Sequence, residues 1–337
     1  MKRDMTKWLN EMLLAPQKKP MPVLSFPSIQ KMGVTVKDLI SSSDLQAKGM
    51  KTIADLTPDN AVSLSLMDLS IEAEAFGSKI HVSDDEVPTV VGSIISTQED
   101  ADALKIPPIG AGRTGIYIEA IEKAVELITD RPVIAGVIGP FSLAGRLLDV
   151  TEAMVYCFED PDMVHTILKK TTAFLIDYCK AYKNAGANGV LIAEPLAGLL
   201  SPSLAEEFSA SYVKEIVSAV QSDDFIVCYH NCGNCTIQQI DSIVSTGASL
   251  LHFGNAINMD EMLPHVPDKI LVAGNVDPAR VFRNGTPESV RESTLNVMKK
   301  CCSYPNFIIS SGCDIPPMSP WENITAFFDA VKEFYSA

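Results

Sequence analysis

Three residues are of the types that could share one soft metal ion: His230 and Cys232, two apart in Tyr229-His230-Asn231-Cys232-Gly233, and Cys313 in Ser311-Gly312-Cys313-Asp314. One imidazole and two thiolates suit Zn2+ by softness and geometry. Three protein ligands leave a fourth position open, as a catalytic zinc needs and a structural one avoids. A His-x-Cys pair alone often just flanks a turn; the third thiol, at the end of a different apolar run, strengthens it. On the residues alone, buried or redox-neutral cysteines remain an open alternative. Cys235 offers a rival Cys-x-x-Cys pairing with Cys232, but it stands where the following helix should begin. A thiolate-rich zinc is a poor activator of water and a good holder of a substrate thiol, so this set favours alkyl transfer to sulfur over hydrolysis.

Other polar groups recur just after apolar runs. Asp68 and Glu194 are the acids so placed, candidates to position a substrate or receive a proton, each with the alternative of accepting backbone or arginine hydrogen bonds. Glu72 and Glu74 follow Asp68 at a helix start and suit the helix dipole. Asp277 precedes Pro278 and should cap a helix while lining a mouth. His252, inside an apolar run, reads as a satisfied core histidine, and His81, His165 and His265 read as surface residues.

The elements that must carry these groups are regular. Apolar runs at 22–26, 62–68, 132–138, 189–194, 225–229, 250–253, 270–273 and 307–311 are separated by helical stretches that include 45–54, 114–129, 161–185, 204–221, 236–246, 259–264 and 287–302, and helix 320–335 closes the chain. Residues 79–82 and 89–94 read as a surface hairpin with Asp84, Asp85 and Glu86 in its turn. Strands apolar on both faces fit a parallel sheet covered by helices, and eight units fit a closed barrel. The expected fold is α/β: a single (β/α)8 TIM barrel over 21–337, with an N-terminal helix in 1–20 packing on it and the hairpin at its surface. A doubly wound nucleotide-binding fold is the alternative, but no Gly-x-Gly-x-x-Gly turn follows the first strand and there is no Walker-type loop.

Bulk properties narrow the partners. The chain has 337 residues, 47% of them hydrophobic, enough for one large core. A formal charge of -15 repels phosphate backbones, which argues against nucleic acid. The amino terminus places basic residues before a short apolar run, as a targeting segment does. Asp4 and Glu11 interrupt it, however, and Trp8, Leu9, Met12, Leu13 and Leu14 recur at helical spacing, so an amphipathic helix fits better. No run is long enough to span a membrane. Eight cysteines without a secretion signal point to reduced thiols and a cytoplasmic protein.

The chain resembles the uroporphyrinogen decarboxylase superfamily and, within it, the methylcobamide:coenzyme M methyltransferases. The similarity runs from about residue 20 to the carboxyl terminus. It rests on Met67-Asp68-Leu69 through Glu72-Ala73-Glu74-Ala75-Phe76-Gly77, on Gly139-Pro140-Phe141-Ser142-Leu143-Ala144-Gly145, on His230-Asn231-Cys232-Gly233-Asn234, on Gly274-Asn275-Val276-Asp277-Pro278, and on Ser311-Gly312-Cys313-Asp314-Ile315-Pro316. The resemblance implies zinc on His230, Cys232 and Cys313, and a methyl group passing from a methylcobamide, carried on a small corrinoid protein docked at the rim, to a small thiol such as coenzyme M. The cobamide would stack over the mouth, where Phe26, Gly139, Asn255, Asn275 and Asp277 are the candidate contacts. Two departures stand out. Relatives with zinc often carry an acid at the sixth strand end, whereas Leu251-His252-Phe253-Gly254-Asn255 has none, leaving the fourth ligand unassigned. The decarboxylase's arginine-rich segment after the first strand is missing from Phe26-Pro27-Ser28-Ile29-Gln30, although Asp68 falls where that enzyme keeps its catalytic aspartate. A tetrapyrrole decarboxylase and a corrinoid-binding protein without turnover are the alternatives.

Overall fold

The computed structural model describes residues 3–336. In chain order its strands are β1 (Ser63–Leu64), the hairpin pair β2 (Lys79–His81) and β3 (Thr89–Val91), β4 (Val133–Ile138), β5 (Gly189–Ala193), β6 (Ile226–Asn231), β7 (Leu250–Phe253), β8 (Leu271–Val276) and β9 (Phe307–Ser311). Seven of them form one curled sheet in the order β1-β4-β5-β6-β7-β8-β9, parallel throughout, and β2 pairs with β3 antiparallel.

The expected first strand, 22–26, forms no ladder; the segment from Pro20 to Ser25 bridges the two edges of the sheet instead, as an eighth stave. The Met21 N–H donates to the Ile309 carbonyl at 2.9 Å, and the Ala61 N–H donates to the Pro20 carbonyl at 2.8 Å. Pro20 and Pro22 have no N–H to give, so this stave closes the barrel without completing a ladder. The expected barrel is thus the observed one, with its first strand held by few hydrogen bonds.

Side chains alternate across each strand, and the two sets build two cores. Inward residues Leu64, Ile134, Leu191, Ile226, Cys228, Leu250, Leu271 and Ile308 fill the lumen. The helix Met5–Leu14 packs Met5, Trp8 and Met12 into the same cluster. It is tied to the turn before β6, where the Asp223 carbonyl accepts from the Met5 N–H at 2.7 Å and the Asp223 carboxylate accepts from the Thr6 hydroxyl at 2.9 Å. That turn lies at the amino ends of the strands, so the helix stoppers that end and the lumen opens only at the carboxyl ends. Outward residues pack against the helices in a second, larger core.

The expected helices are present, among them Ser43–Leu56, Thr114–Leu127, Pro161–Asn184, Pro287–Cys301 and Trp321–Ser336. The chain also forms helices that its periodicity did not signal: Gln98–Ala103, Pro140–Leu148 and Val150–Glu159. Pro140–Leu148 is buried at every residue but Arg146 and begins at Gly139-Pro140, which in the sequence reads as the turn that ends a strand. No helix among the described residues is long and apolar enough to cross a membrane.

Candidate metal and substrate site

At the carboxyl ends of the strands lies a small apolar cavity of about 100 Å3, walled by Val23, Met67, Leu69, Leu191, Ala193 and Pro195 and floored by His230, Cys232, Cys313 and Asp314. The three expected ligands therefore line one cavity although they are far apart in the chain. His230 is the last inward residue of β6, Cys232 follows the strand, and Cys313 follows β9. Close approach of the loops needs glycine: a Cβ on Gly254 would lie 2.3 Å from the Cys232 Cβ, and one on Gly312 would lie 2.6 Å from the Asn255 nitrogen. Cys235 stands at the start of the 3-10 turn Thr236–Gln239, as expected, and does not line the cavity.

The cavity floor is short of hydrogen-bond partners. His230 Nε2 is buried and unpartnered, and so are both carboxyl oxygens of Asp314. Burial holds the His230 imidazole down at about 4 and therefore neutral, with a lone pair to offer. Burial, with Cys232 and Asp314 as neighbours, pushes the metal-free Cys313 thiol up to about 12, and burial lifts Asp314 well above the usual carboxylate range. Such a set suits a divalent cation, which replaces the missing hydrogen bonds and ionises the thiols. By donor type and by the orphaned Nε2 the residues fit zinc. As they stand, however, no group of three or more His, Cys, Asp or Glu among the described residues converges to hold an ion. Asp314 is the site residue that sequence reasoning passed over. It adjoins Cys313 in a motif where the cysteine drew the attention.

The other expected site residues are placed differently. Asp68 is buried, and both of its oxygens are used. Oδ1 accepts from the Ser70 N–H at 3.1 Å and the Ser70 hydroxyl at 2.5 Å; Oδ2 accepts from Arg113 at 2.5 Å and the Tyr117 hydroxyl at 2.8 Å. Arg113 also donates to Glu74 at 2.7 Å and to the Ser70 hydroxyl at 2.9 Å. Glu194 is buried and accepts from the Phe141 and Ser142 N–H groups at 3.1 and 2.6 Å and from the Ser209 hydroxyl at 3.0 Å, satisfying the start of helix Pro140–Leu148. Neither acid lines the cavity. The hydrogen bonds of both acids are to the protein itself, the accepting role that the sequence left open beside a catalytic one. Glu72 stands in the first turn of helix Ile71–Ala75, as expected, but it is buried. Its Oε1 accepts from the Ile138 N–H at 3.1 Å, Oε2 has no partner, and burial pushes the carboxyl up to about 8.

Of the expected cobamide contacts, Phe26 is fully buried in the outer core, and the space beside Gly139 is filled by the Glu194 carboxylate, 2.5 Å from where a Cβ would be. Neither offers a surface to a ligand. Asn275 is buried and donates to the Gly254 and Ile257 carbonyls at 2.9 and 2.6 Å, shaping the loop after β7. Asn255 is exposed and donates to Asp277 at 3.0 Å, while Asp277 caps the helical turn Pro278–Arg283. Only this last pair stands at the open rim. His252 is the satisfied core histidine that was expected, but its partner is His230, at 2.7 Å between the two Nδ1 atoms.

A barrel of parallel strands, plugged at one end and open at the other onto a cavity with thiols and an imidazole, defines an enzyme of the (β/α)8 class. The family model for uroporphyrinogen decarboxylase (URO-D) matches residues 21–334, and the chain belongs to that family. Among curated relatives, the methylcobamide:CoM methyltransferase MtbA of Methanosarcina acetivorans is 30% identical over 271 residues, covering 79% of this chain and 78% of the relative. The uroporphyrinogen decarboxylase of Coxiella burnetii is 27% identical over 276 residues, covering 77% and 74%. A solved methyltransferase from Methanosarcina mazei superposes with a TM-score of 0.85 at 23% identity, covering 98% of this chain and 99% of that one. A B12-independent methionine synthase from Shewanella shares the fold at a TM-score of 0.65 and 11% identity. With these relatives, the chain is a methyltransferase.

Proposed function

We propose that this enzyme moves a methyl group from a methylcobamide, carried on a separate small corrinoid protein, to a small thiol such as coenzyme M, with Zn2+ held by His230, Cys232 and Cys313. The observation that carries the reading is His230 Nε2, buried and without a partner, facing an apolar cavity shared with two thiols. Zinc there would supply a soft Lewis acid that keeps a substrate thiol ionised at neutral pH.

The chain's own residues would do the rest. His230 offers the Nε2 lone pair, and Cys232 and Cys313 offer sulfur. The walls from Val23 to Pro195 exclude water, which strengthens every charge interaction inside. Asp314 lines the same cavity, and among the described residues its unpartnered carboxyl is the one further oxygen donor there that could complete the metal shell. A methylcobamide bound at the mouth would supply an electrophilic methyl group, and a thiolate held by His230, Cys232 and Cys313 through the metal would be its acceptor, the carbon–cobalt electron pair remaining with cobalt. A cavity of about 100 Å3 suits a thiol of a few heavy atoms, and a corrinoid would have to sit outside it, toward the rim where Asn255 and Asp277 stand. A cytoplasmic location belongs to the same proposal, and the eight free cysteines support it.

The tetrapyrrole decarboxylase reading would act through Asp68. That carboxylate is committed to Arg113, Tyr117 and Ser70, and among the described residues no lysine or arginine lines the cavity to clamp substrate carboxylates. The test is a methyl-transfer assay with free methylcobalamin and a panel of small thiols, on zinc-loaded and chelator-stripped protein, beside incubation with uroporphyrinogen. Thiol methylation lost on stripping and restored by zinc is the expected result. Carbon dioxide release insensitive to chelation would favour the decarboxylase, and no turnover on either substrate would favour a binding protein.

A further inference from the structure

His230 and His252 are register neighbours on β6 and β7, both inward-facing, with ring centroids 4.8 Å apart. Their Nδ1 atoms are 2.7 Å apart, so one nitrogen must donate and the other accept. Which one donates can be read from the far end of the chain of contacts. His252 Nε2 lies 2.8 Å from the Ser310 Oγ, and the Ser310 hydroxyl donates to the Met21 carbonyl at 2.7 Å. A carbonyl only accepts, and a serine has one proton to give. Ser310 therefore meets His252 as an acceptor, and His252 carries its proton on Nε2. Both rings are buried, and among the described residues neither hydrogen-bonds a carboxylate, so a charged imidazole there would lack a counter-ion and both rings are neutral. The His252 Nδ1 is then a bare lone pair, and His230 must donate from Nδ1. What remains on His230 Nε2 is a lone pair facing the cavity, the atom that has no partner.

We propose that the Met21 carbonyl, acting through Ser310 and His252, fixes the tautomer of His230 so that Nε2 is presented bare to a metal ion. His252 and Ser310 are thus positioning residues, and the closing stave of the barrel, which has few backbone bonds of its own, sets the polarity of the whole chain. The purpose of the relay rests on the zinc reading above; its geometry does not. It also gives a reason for a histidine on β7: as the middle member of a serine–histidine–histidine chain it passes the polarity on through two ring nitrogens, a task that an apolar residue at that position cannot do.

The test uses the full-length, metal-stripped protein labelled with 15N in its histidines. The long-range nitrogen–proton correlation spectrum should show His230 protonated on Nδ1 and bare on Nε2, and His252 protonated on Nε2 and bare on Nδ1. Zinc affinity is then measured by competition with a chromophoric chelator. Ser310→Ala should bind zinc roughly ten- to a hundredfold more weakly, with mixed His230 tautomers, and Ser310→Thr, which keeps the hydroxyl, should restore both. A wild-type His230 protonated on Nε2 would overturn the relay, as would a Ser310→Ala protein with unchanged tautomer and affinity. Should Ser310→Ala fail to fold, the wild-type spectrum decides. If the wild-type protein takes up no zinc at all, the metal reading fails, while the same spectrum still upholds or overturns the relay.

Discussion

Two polar clusters lie at the carboxyl ends of this barrel's strands. Around Asp68, an aspartate, an arginine, a tyrosine, a serine and Glu74 satisfy one another, and Glu194 is likewise saturated by two backbone N–H groups and a hydroxyl. Around His230, an imidazole nitrogen and a carboxyl group are equally buried and have no partner beside two thiols. Burial without a partner costs free energy, so the second cluster has donors left to offer a ligand and the first does not. Sequence position does not separate the two, since all these residues follow apolar runs; the separation comes from counting partners.

The contrast can be broken at either side. The largest effect is expected at the unsatisfied cluster, where Cys313→Ala should lower zinc affinity by more than about a hundredfold, beyond the usual cost of losing an outer partner, and abolish methyl transfer with it. Metal analysis and the thiol methylation assay on one preparation check this, and a zinc-free variant of full activity would remove Cys313 from the site. On the satisfied side, Arg113→Ala leaves the buried Asp68 carboxylate without its cation and should cost about 3–5 kcal/mol in urea unfolding, with zinc content per folded molecule unchanged. Loss of zinc in a folded Arg113→Ala protein would mean that the clusters act as one.

Glu72 sharpens the rule, because its Oε2 is unpartnered and yet needs no metal: a carboxyl can carry its own proton. Its pKa in the fold is near 8 against 4.5 for the free side chain, so the native state keeps a proton that the unfolded chain gives up. The sign follows. Stability is full below about pH 4.5, falls as pH rises, and levels once pH passes about 8. Glu72→Gln, which still accepts from the Ile138 N–H, should match the parent at pH 4 and exceed it by a few kcal/mol at pH 9. Denaturation midpoints across that range measure it, and parallel curves for the two proteins would show that Glu72 is ionised in the fold.

Much of the barrel was legible because strands buried on both faces read as unbroken apolar runs and their helices carry an amphipathic stripe. Pro140–Leu148 was not legible, because its start at Gly139-Pro140 reads as a strand-end turn and it is only nine residues long. The stave at 20–26 was legible by its apolar residues, but not the way its prolines leave it tied mainly through Met21. Within the site, residue type and motif brought out His230, Cys232 and Cys313, and the fold gathers them at one cavity. Asp68 and Glu194 carried the same signal at strand ends and turned out saturated, since a partner such as Arg113, 45 residues from Asp68, leaves no local trace. His252 was read correctly as satisfied. That it satisfies His230 depends on the register of β6 against β7, which periodicity does not specify.

The measurement that bears most directly on this account is the zinc K-edge X-ray absorption spectrum of the purified, zinc-loaded protein before and after addition of a methyl-accepting thiol. The account predicts one zinc per chain with two sulfur scatterers and lighter nitrogen or oxygen neighbours, and a third sulfur once the thiol is added. Zinc in less than stoichiometric amount, or a sulfur count that the thiol leaves unchanged, would contradict it.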